Sequence, residues 1–182
     1  MSGSGQPCMF CDSNEATDVE HYRPKAVYPK LALTWDNLLW GCANCNRHKG
    51  DHFPPDTKPG GRIINPLDEN VWDFFFIDRH GLLIPKWRPD ENALDDRAVS
   101  TRDLLRLNRE TLQARRQSRL SDLRRLVNST LKEFRANEIA IAEVKDRLAE
   151  WRTSPIHPDV ADYFLYGPGA SERPFCDLLA LI

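Results

Sequence analysis

The order of apolar and polar residues predicts that the chain begins with strands and ends with helices. Alternating residues over Thr17–Tyr22 predict a short strand. The segment Asn37–Trp40 predicts a return strand. After it, Asn44–Lys49 predicts a short helix, with Asn44 as its N-cap and Gly50 at its end. The first fifty residues are therefore predicted to form a strand pair followed by a helix.

A second strand pair is predicted after a connection rich in proline and glycine, residues 53–62. The apolar runs Asp73–Ile77 and Leu82–Pro85 flank a polar turn that contains Gly81. Two short apolar runs joined by such a turn are typical of a β-hairpin.

The remainder of the chain has a helical pattern. Thr101–Asn108 predicts a short helix, with Ser100 or Thr101 as its N-cap. From Leu112 to Trp151, apolar residues recur at spacings of three, four, seven and eight, which predicts one or two long helices with a single apolar stripe.

Composition adds only broad limits to this picture. The chain has 182 residues, of which 41% are hydrophobic, so it can bury a core. Its formal net charge is -2, so any attraction to nucleic acid must come from a local patch. The sequence has no long apolar run and no signal peptide, and we expect a cytoplasmic protein without membrane contacts.

Four of the five cysteines are arranged as two pairs, Cys8-x-x-Cys11 and Cys42-x-x-Cys45. Each pair places two sulfurs on one side of a tight turn, and two facing turns form the tetrahedral site typical of structural zinc. Two alternatives stay open at this point: four reduced cysteines in a core, or a redox dithiol.

A second group of polar residues lies between and beside the cysteine pairs. Glu20 and His21 end the first predicted strand, and Asn37 and Asn46 follow later. Carboxylate and amide oxygens suit a hard cation such as Mg²⁺, and an imidazole can accept a proton at neutral pH. Taken singly, His21 could be a structural histidine and Glu20 a solvated charge.

Glu20-His21, Asn37 and the run Cys-x-x-Cys-Asn46-x-x-Lys49 resemble the ββα-metal motif of HNH endonucleases. The resemblance implies that His21 is the general base and that Asn37 braces the loop that follows it. It also implies that Glu20 and Asn46 hold a catalytic divalent ion, Mg²⁺ or Mn²⁺, while zinc stays in the sulfur site.

The chain departs from the family pattern at one position. Asn46 stands where the family name has histidine, although its side chain keeps an oxygen ligand. His48 and His52 are close in sequence, and His48 could join the ligand set.

Basic residues near the motif are candidates for contacts with nucleic-acid phosphates. These are Arg23, Lys25, Arg47 and Lys49. Further along, eight arginines between Arg102 and Arg125 outnumber three acidic residues, and phosphate contact there is as plausible as a solvated surface. DNA is the expected substrate, but no feature recognises or excludes a 2'-hydroxyl, so an RNase using the same site stays open.

Three segments also resemble the nuclease subunit of Septu-type anti-phage systems. They are Val19–Lys25, Asn37–Cys42 and Ile64–Asp68. This resemblance implies a role in phage defence together with a partner ATPase of the ABC type. The rival class is a non-catalytic zinc module that binds nucleic acid or protein.

The sequence therefore predicts an α+β protein in three segments. Residues 1–55 would form a zinc-stabilised HNH nuclease module, and residues 56–95 a connection and a β-hairpin packed on that module. Residues 96–182 would form a mostly helical region for substrate or partner contacts.

Overall fold

The computed structural model describes residues 7–13, 16–53, 63–153, 168–171 and 173–181. The chain divides into two compact units, neither of which is continuous in sequence. Unit 1 comprises Met1–Phe75 and Pro85–Leu112, and unit 2 comprises Phe76–Ile84 and Gln113–Ile182. Most of the 53–62 connection lies outside the described residues. The predicted α+β fold class is confirmed.

Unit 1 begins with the predicted strand pair and helix. Strand β1 (Ala16–His21) pairs in antiparallel fashion with strand β2 (Leu38–Cys42), and helix α1 (Ala43–Lys49) follows without a loop. The N-cap of α1 is Cys42 rather than the predicted Asn44, because the sulfur of Cys42 accepts a hydrogen bond from the backbone amide of Cys45 at 3.4 Å. The predicted end at Gly50, with φ of 49°, is observed.

The inner face of β1 is polar at one position. Val19 is 54% exposed, whereas its neighbour Glu20 is 6% exposed. Successive side chains of a strand point to opposite faces, so this register buries the carboxylate and exposes the valine. If burial of apolar side chains alone decided the register, Val19 would be buried and Glu20 would be exposed.

The middle of the chain forms short strands. Strand β3 (Phe75–Ile77) pairs with β4 (Leu83–Pro85) in the predicted hairpin. A smaller pair follows, β5 (Trp87–Arg88) with β6 (Ala93–Leu94).

Helix α2 (Asp96–Leu104) also belongs to unit 1, which extends to Leu112. Its N-cap is Asp95, whose Oδ1 accepts from the amide of Ala98 at 2.8 Å, so the predicted cap at Ser100 or Thr101 is wrong. Thr101 instead lies inside the helix and is buried, and its hydroxyl accepts from the amide of Ile64 at 2.8 Å.

Unit 2 contains the long helices. Helix α3 (Glu110–Arg135) begins at the end of unit 1, and helix α4 (Ile141–Thr153) and the short helix α5 (Phe175–Leu179) follow. The predicted apolar stripe is buried at six positions: Leu112, Leu120, Leu123, Val127, Leu131 and Val144. Across the described residues, no helix combines the length and apolar character needed to cross a bilayer.

Candidate functional site

The four paired cysteines converge in unit 1. The sulfurs of Cys8, Cys11, Cys42 and Cys45 all lie within 4.8 Å of one another, and the Cys11 and Cys42 sulfurs are 3.8 Å apart. A tetrahedral zinc site with bonds of about 2.3 Å has sulfur–sulfur distances of about 3.8 Å. The cluster therefore fits zinc in both ligand type and spacing.

The protonation behaviour of these thiols also suits a divalent cation. Hydrogen bonds from Cys45 and Cys8 hold the pKa of Cys11 well below its ordinary value. The hydrogen bond between Cys8 and Cys11 raises the pKa of Cys8 to about 12, and hydrogen bonds and burial also raise the pKa of Cys45. Such a cluster loses all its protons only when a cation compensates the accumulated negative charge.

The first cysteine turn is held by backbone hydrogen bonds. The amide of Cys8 donates to the carbonyl of Ser13 at 2.7 Å, and the amide of Asp12 donates to the carbonyl of Cys8 at 2.8 Å. The amide of Met9 donates to the carbonyl of Trp40 at 2.9 Å, which attaches this turn to β2. Both cysteine pairs are thus fixed to the same strand.

A buried ion pair lies near the other end of the strand pair. The ammonium of Lys49, which is fully buried, donates to Oε1 of Glu20 at 2.7 Å and to the carbonyl of His21 at 2.5 Å. Lys49 was predicted as a phosphate contact, but its ammonium is buried and directed toward β1. A Cβ on Gly41 would lie only 3.1 Å from the Cβ of Glu20, so glycine allows the close strand approach here.

The His21 ring is oriented by one hydrogen bond. Its Nε2 lies 2.9 Å from the carbonyl oxygen of Ala32. A carbonyl can only accept, so Nε2 carries the proton in this bond and Nδ1 of the neutral ring keeps its lone pair. The ring is half-buried, and the remaining nitrogen is the one able to act as a base.

Asn37 ties together the loop between β1 and β2. Its Oδ1 accepts from the amide of Arg23 at 2.7 Å, while its Nδ2 donates to the carbonyls of Arg23 and Leu31, both at 3.0 Å. The residue is 4% exposed. These bonds close the loop that carries Ala32, the partner of His21.

The remaining predicted residues occupy the exposed side of the same region. Asn46 and His48 are half-buried on α1, and Arg47 is exposed. Burial lowers the pKa of His48, and the guanidinium groups of Arg106, Arg109 and Arg47 lower it further. The structure thus places four basic side chains around one face of α1.

Arg23 and Lys25 lie on the loop after His21. Lys25 is exposed, and the guanidinium carbon of Arg23 lies 5.4 Å from the ring centres of both Tyr28 and Phe53. The Phe53 ring also packs edge-on against Tyr22, with centroids 5.2 Å apart. The aromatic contacts hold the Arg23 guanidinium close to the loop.

An open groove of about 700 Å³ adjoins α1. Its lining residues come from α1 and from the turn between α2 and α3: Asn44, Arg102, Asp103, Arg106, Asn108, Arg109, Glu110 and Thr111. Its arginines belong to the run that the sequence offered as an additional phosphate contact.

The contact of Arg109 with the cysteine cluster is the feature of this region that the sequence did not predict. The Arg109 guanidinium lies close to two sulfurs of the cysteine cluster, 3.6 Å from that of Cys11 and 4.0 Å from that of Cys45. Arg109 follows Cys45 by 64 residues, and no local spacing links an arginine at that distance to a cysteine pair.

The chain is similar to known proteins over part of its length. Residues 8–52 match the family model of HNH endonuclease. The chain is 40% identical over 68 residues to the Septu protein PtuB of Bacillus thuringiensis, covering 35% of this chain and 25% of that protein. It is 33% identical over 81 residues to the Septu protein PtuB of Bacillus mycoides strain KBAB4, covering 35% and 27%.

A phage protein matches as well. The chain is 31% identical over 81 residues to Protein ea31 of Escherichia phage lambda, covering 43% of this chain and 26% of that protein. The chain spans about a quarter of the length of the curated relatives it matches. The predicted resemblance to HNH endonucleases and to the Septu nuclease subunit is therefore confirmed, for that portion of the chain.

Proposed function

We propose that this chain is a metal-dependent HNH endonuclease that hydrolyses phosphodiester bonds in DNA, with His21 as the general base. The observation that carries the proposal is the position of Glu20-His21 within a ββα unit that matches the HNH endonuclease family. In this unit the Glu20 carboxylate is buried, the His21 imidazole is oriented by its hydrogen bond to Ala32, and the Asn46 amide is half-buried on α1.

His21 would remove a proton from the attacking water through Nδ1. The hydrogen bond from Nε2 to Ala32 supports this role, because it fixes the ring and leaves Nδ1 as an acceptor. The bond to the carbonyl also stabilises the charge that the ring gains when it takes the proton. Asn37 would keep that carbonyl in place through its three bonds to the loop.

Glu20 and Asn46 fit a hard divalent ion by their oxygen donors, and Mg²⁺ or Mn²⁺ held there would supply positive charge to the scissile phosphate and the leaving oxygen. His48 remains a further candidate ligand on the same helix. Lys49 would position the Glu20 carboxylate rather than contact the substrate, since its ammonium is buried against that group.

Zinc would occupy the cysteine cluster as a structural ion. Four sulfurs at this spacing fill a tetrahedral zinc site and leave no position for water, so this centre would support the fold and take no part in hydrolysis.

Arg23, Lys25 and Arg47 would bind the phosphate backbone beside the site. Each is at least partly exposed in unit 1, and the arginines of the neighbouring groove could extend the contact.

The experiment is cleavage of supercoiled plasmid and of RNA by the full chain, with Mg²⁺, with Mn²⁺ and with EDTA. We expect cutting that requires the metal and that is lost in His21→Ala. His80→Ala is the matched control, because His80 is an exposed histidine at the hairpin turn. Cutting that survives in His21→Ala would exclude this histidine as the base, and the substrate that is cut decides between DNA and RNA.

We also propose that the chain acts in phage defence with an ABC-type ATPase. Its support is the similarity to two Septu proteins, although a phage protein is also similar to this chain over 81 residues. The test is co-expression with an ABC-type ATPase from the same genome, followed by co-purification and phage plating. Lower plating that requires both proteins and His21 is expected; plating that is unchanged would remove the defence role.

One observation favours the alternative of a non-catalytic zinc module. The ammonium of Lys49 already neutralises the Glu20 carboxylate without a metal ion, so the same two residues would also suit a purely structural unit. Absence of cutting with any metal, alone and with the ATPase, would favour this alternative.

A further inference from the structure

Arg109 contacts the cysteine cluster from outside the segment that matches the HNH family. Its two terminal nitrogens approach different sulfurs, with Nη2 at 3.6 Å from Cys11 and Nη1 at 4.0 Å from Cys45. These sulfurs belong to different cysteine pairs. The guanidinium therefore spans the cluster, as its planar, forked donor geometry allows.

The turn between α2 and α3 holds this side chain in place. The amide of Arg109 donates to the carbonyl of Arg106 at 3.0 Å, and Nη1 also lies 3.4 Å from the carbonyls of Leu105 and Arg106. Its Nε is buried and finds no acceptor among the described residues. Within that part of the chain no carboxylate pairs with Arg109.

A half-buried cation without a carboxylate needs another source of negative charge. Four thiolates around one Zn²⁺ carry a net charge of 2 - 4 = -2, counted from the four clustered cysteines. The sulfurs nearest to Arg109 would carry part of that charge. The positive charge of the Arg109 guanidinium therefore lies beside the negative charge of the two sulfurs that its forked N–H groups approach.

We propose that Arg109 is a positioning residue of the zinc centre, which compensates one negative charge of the tetrathiolate and fixes the two cysteine pairs relative to each other. This inference rests on the proposed zinc site and is independent of the nuclease activity. N–H donors withdraw electron density from thiolate sulfurs, which makes them weaker nucleophiles and slows their protonation. Zinc bound beside Arg109 is held longer than zinc in the same four cysteines without it.

The test measures transfer of zinc from the full chain to a chromogenic chelator. Arg109→Gln removes the charge, and Arg109→Lys keeps the charge without the fork. Arg106→Gln is the matched control, because it removes the same charge from the same turn and Arg106 is exposed. We expect zinc affinity about 10- to 100-fold lower in Arg109→Gln, an intermediate value in Arg109→Lys and the wild-type value in Arg106→Gln.

Substitution of zinc by Co²⁺ gives a second readout, the sulfur-to-cobalt charge-transfer band. Loss of the donors in Arg109→Gln raises the energy of the sulfur electrons and moves this band to longer wavelength. A residue that only supported the backbone carbonyls of the turn would lower thermal stability and leave the band unmoved.

Wild-type affinity and an unmoved band in Arg109→Gln would overturn the inference, as would an equal loss in Arg106→Gln. Should Arg109→Gln fail to fold, Arg109→Lys decides: a shifted band with weakened zinc binding supports the role, and a wild-type band overturns it. A wild-type chain that purifies without zinc and does not bind it would overturn the zinc centre itself, which is a separate result.

Discussion

The two ends of the β1–β2 pair carry different kinds of site. At the Cys42 end, four sulfurs converge and suffice as a ligand set. At the His21 end, each polar group depends on a partner from elsewhere in unit 1: Glu20 on Lys49, and the His21 ring on Ala32. The first site is defined by its ligand atoms. The second site is defined by the residues that hold its functional groups in position.

This difference predicts different responses to mutation. Loss of one ligand at the cysteine end removes the ion that would join both turns. Loss of one residue at the histidine end leaves a charge or a hydrogen-bonding group buried without its partner. Substitutions at the two ends of the strand pair test this contrast.

Cys42→Ser should abolish zinc binding and unfold the ββα unit. Apparent zinc-binding energies of structural sites, about 10–16 kcal/mol, match or exceed the whole stability of most domains. Metal analysis of the purified protein and far-ultraviolet circular dichroism measure the two effects. Cys176→Ser is the control, since Cys176 lies outside the cluster. A zinc-free Cys42→Ser protein with wild-type structure would remove the assigned structural role of the metal.

Lys49→Met should destabilise the protein by about 3–5 kcal/mol, because it leaves the Glu20 carboxylate buried without a cation. Chemical denaturation measures the loss. The double variant Glu20→Gln with Lys49→Met should recover part of it, since neither charge then remains. If the single and double variants are equally unstable, Lys49 stabilises through its bond to the His21 carbonyl or through packing instead.

Asn37→Ala should cost about 1–3 kcal/mol, the penalty for leaving buried backbone groups unpaired, and should increase hydrogen exchange in residues 22–34. Asn37→Asp is an informative companion, because it retains the acceptor for Arg23 and loses both donors. Zinc content should be unchanged in both variants. Zinc loss in Asn37→Ala would show that a change at the His21 end of the strand pair also disturbs the cysteine end.

Gly41→Ala should have the smallest effect, a loss of about 1 kcal/mol, because the new methyl group would lie 3.1 Å from the Glu20 side chain. The new methyl group should displace Glu20 slightly, and we expect a larger relative loss in the rate of plasmid cleavage than in thermal stability. A thermal melt and a cleavage assay on the same preparation compare the two. Equal cleavage by Gly41→Ala and wild type would mean that the site tolerates this displacement.

Sequence reasoning predicted the cysteine end more completely than the histidine end. Two pairs at fixed spacing specify a sulfur cluster, because the ligand atoms themselves carry the information. Glu20 was identified as a candidate ligand, but its buried carboxylate is paired with Lys49, which the sequence analysis listed among the candidate phosphate contacts. The charge of a lysine is visible in a sequence, whereas the direction in which it points is set by the packing of α1 on β1.

Helix starts show the same limit on a smaller scale. Asn44 and Ser100 or Thr101 have suitable side chains for capping, but Cys42 and Asp95 accept the hydrogen bonds. Cap preference is only a local tendency: α1 begins directly after β2, and α2 begins after the single residue Asp95 that follows β6. The contact of Arg109 with the cysteine cluster was not predicted for a larger reason, because the cysteines it approaches are far away in sequence.

The interrupted sequence of unit 1 has a consequence for protein synthesis. The ribosome delivers the last paired cysteine, Cys45, well before Leu112, where the unit ends. At about 5–20 residues per second, Arg109 follows Cys45 by roughly 3–13 s. During the first part of this interval, before α2 is made, the nascent chain can already assemble its four-sulfur cluster. Metal capture would therefore precede completion of the unit, and cellular zinc supply during translation would affect the yield of folded protein.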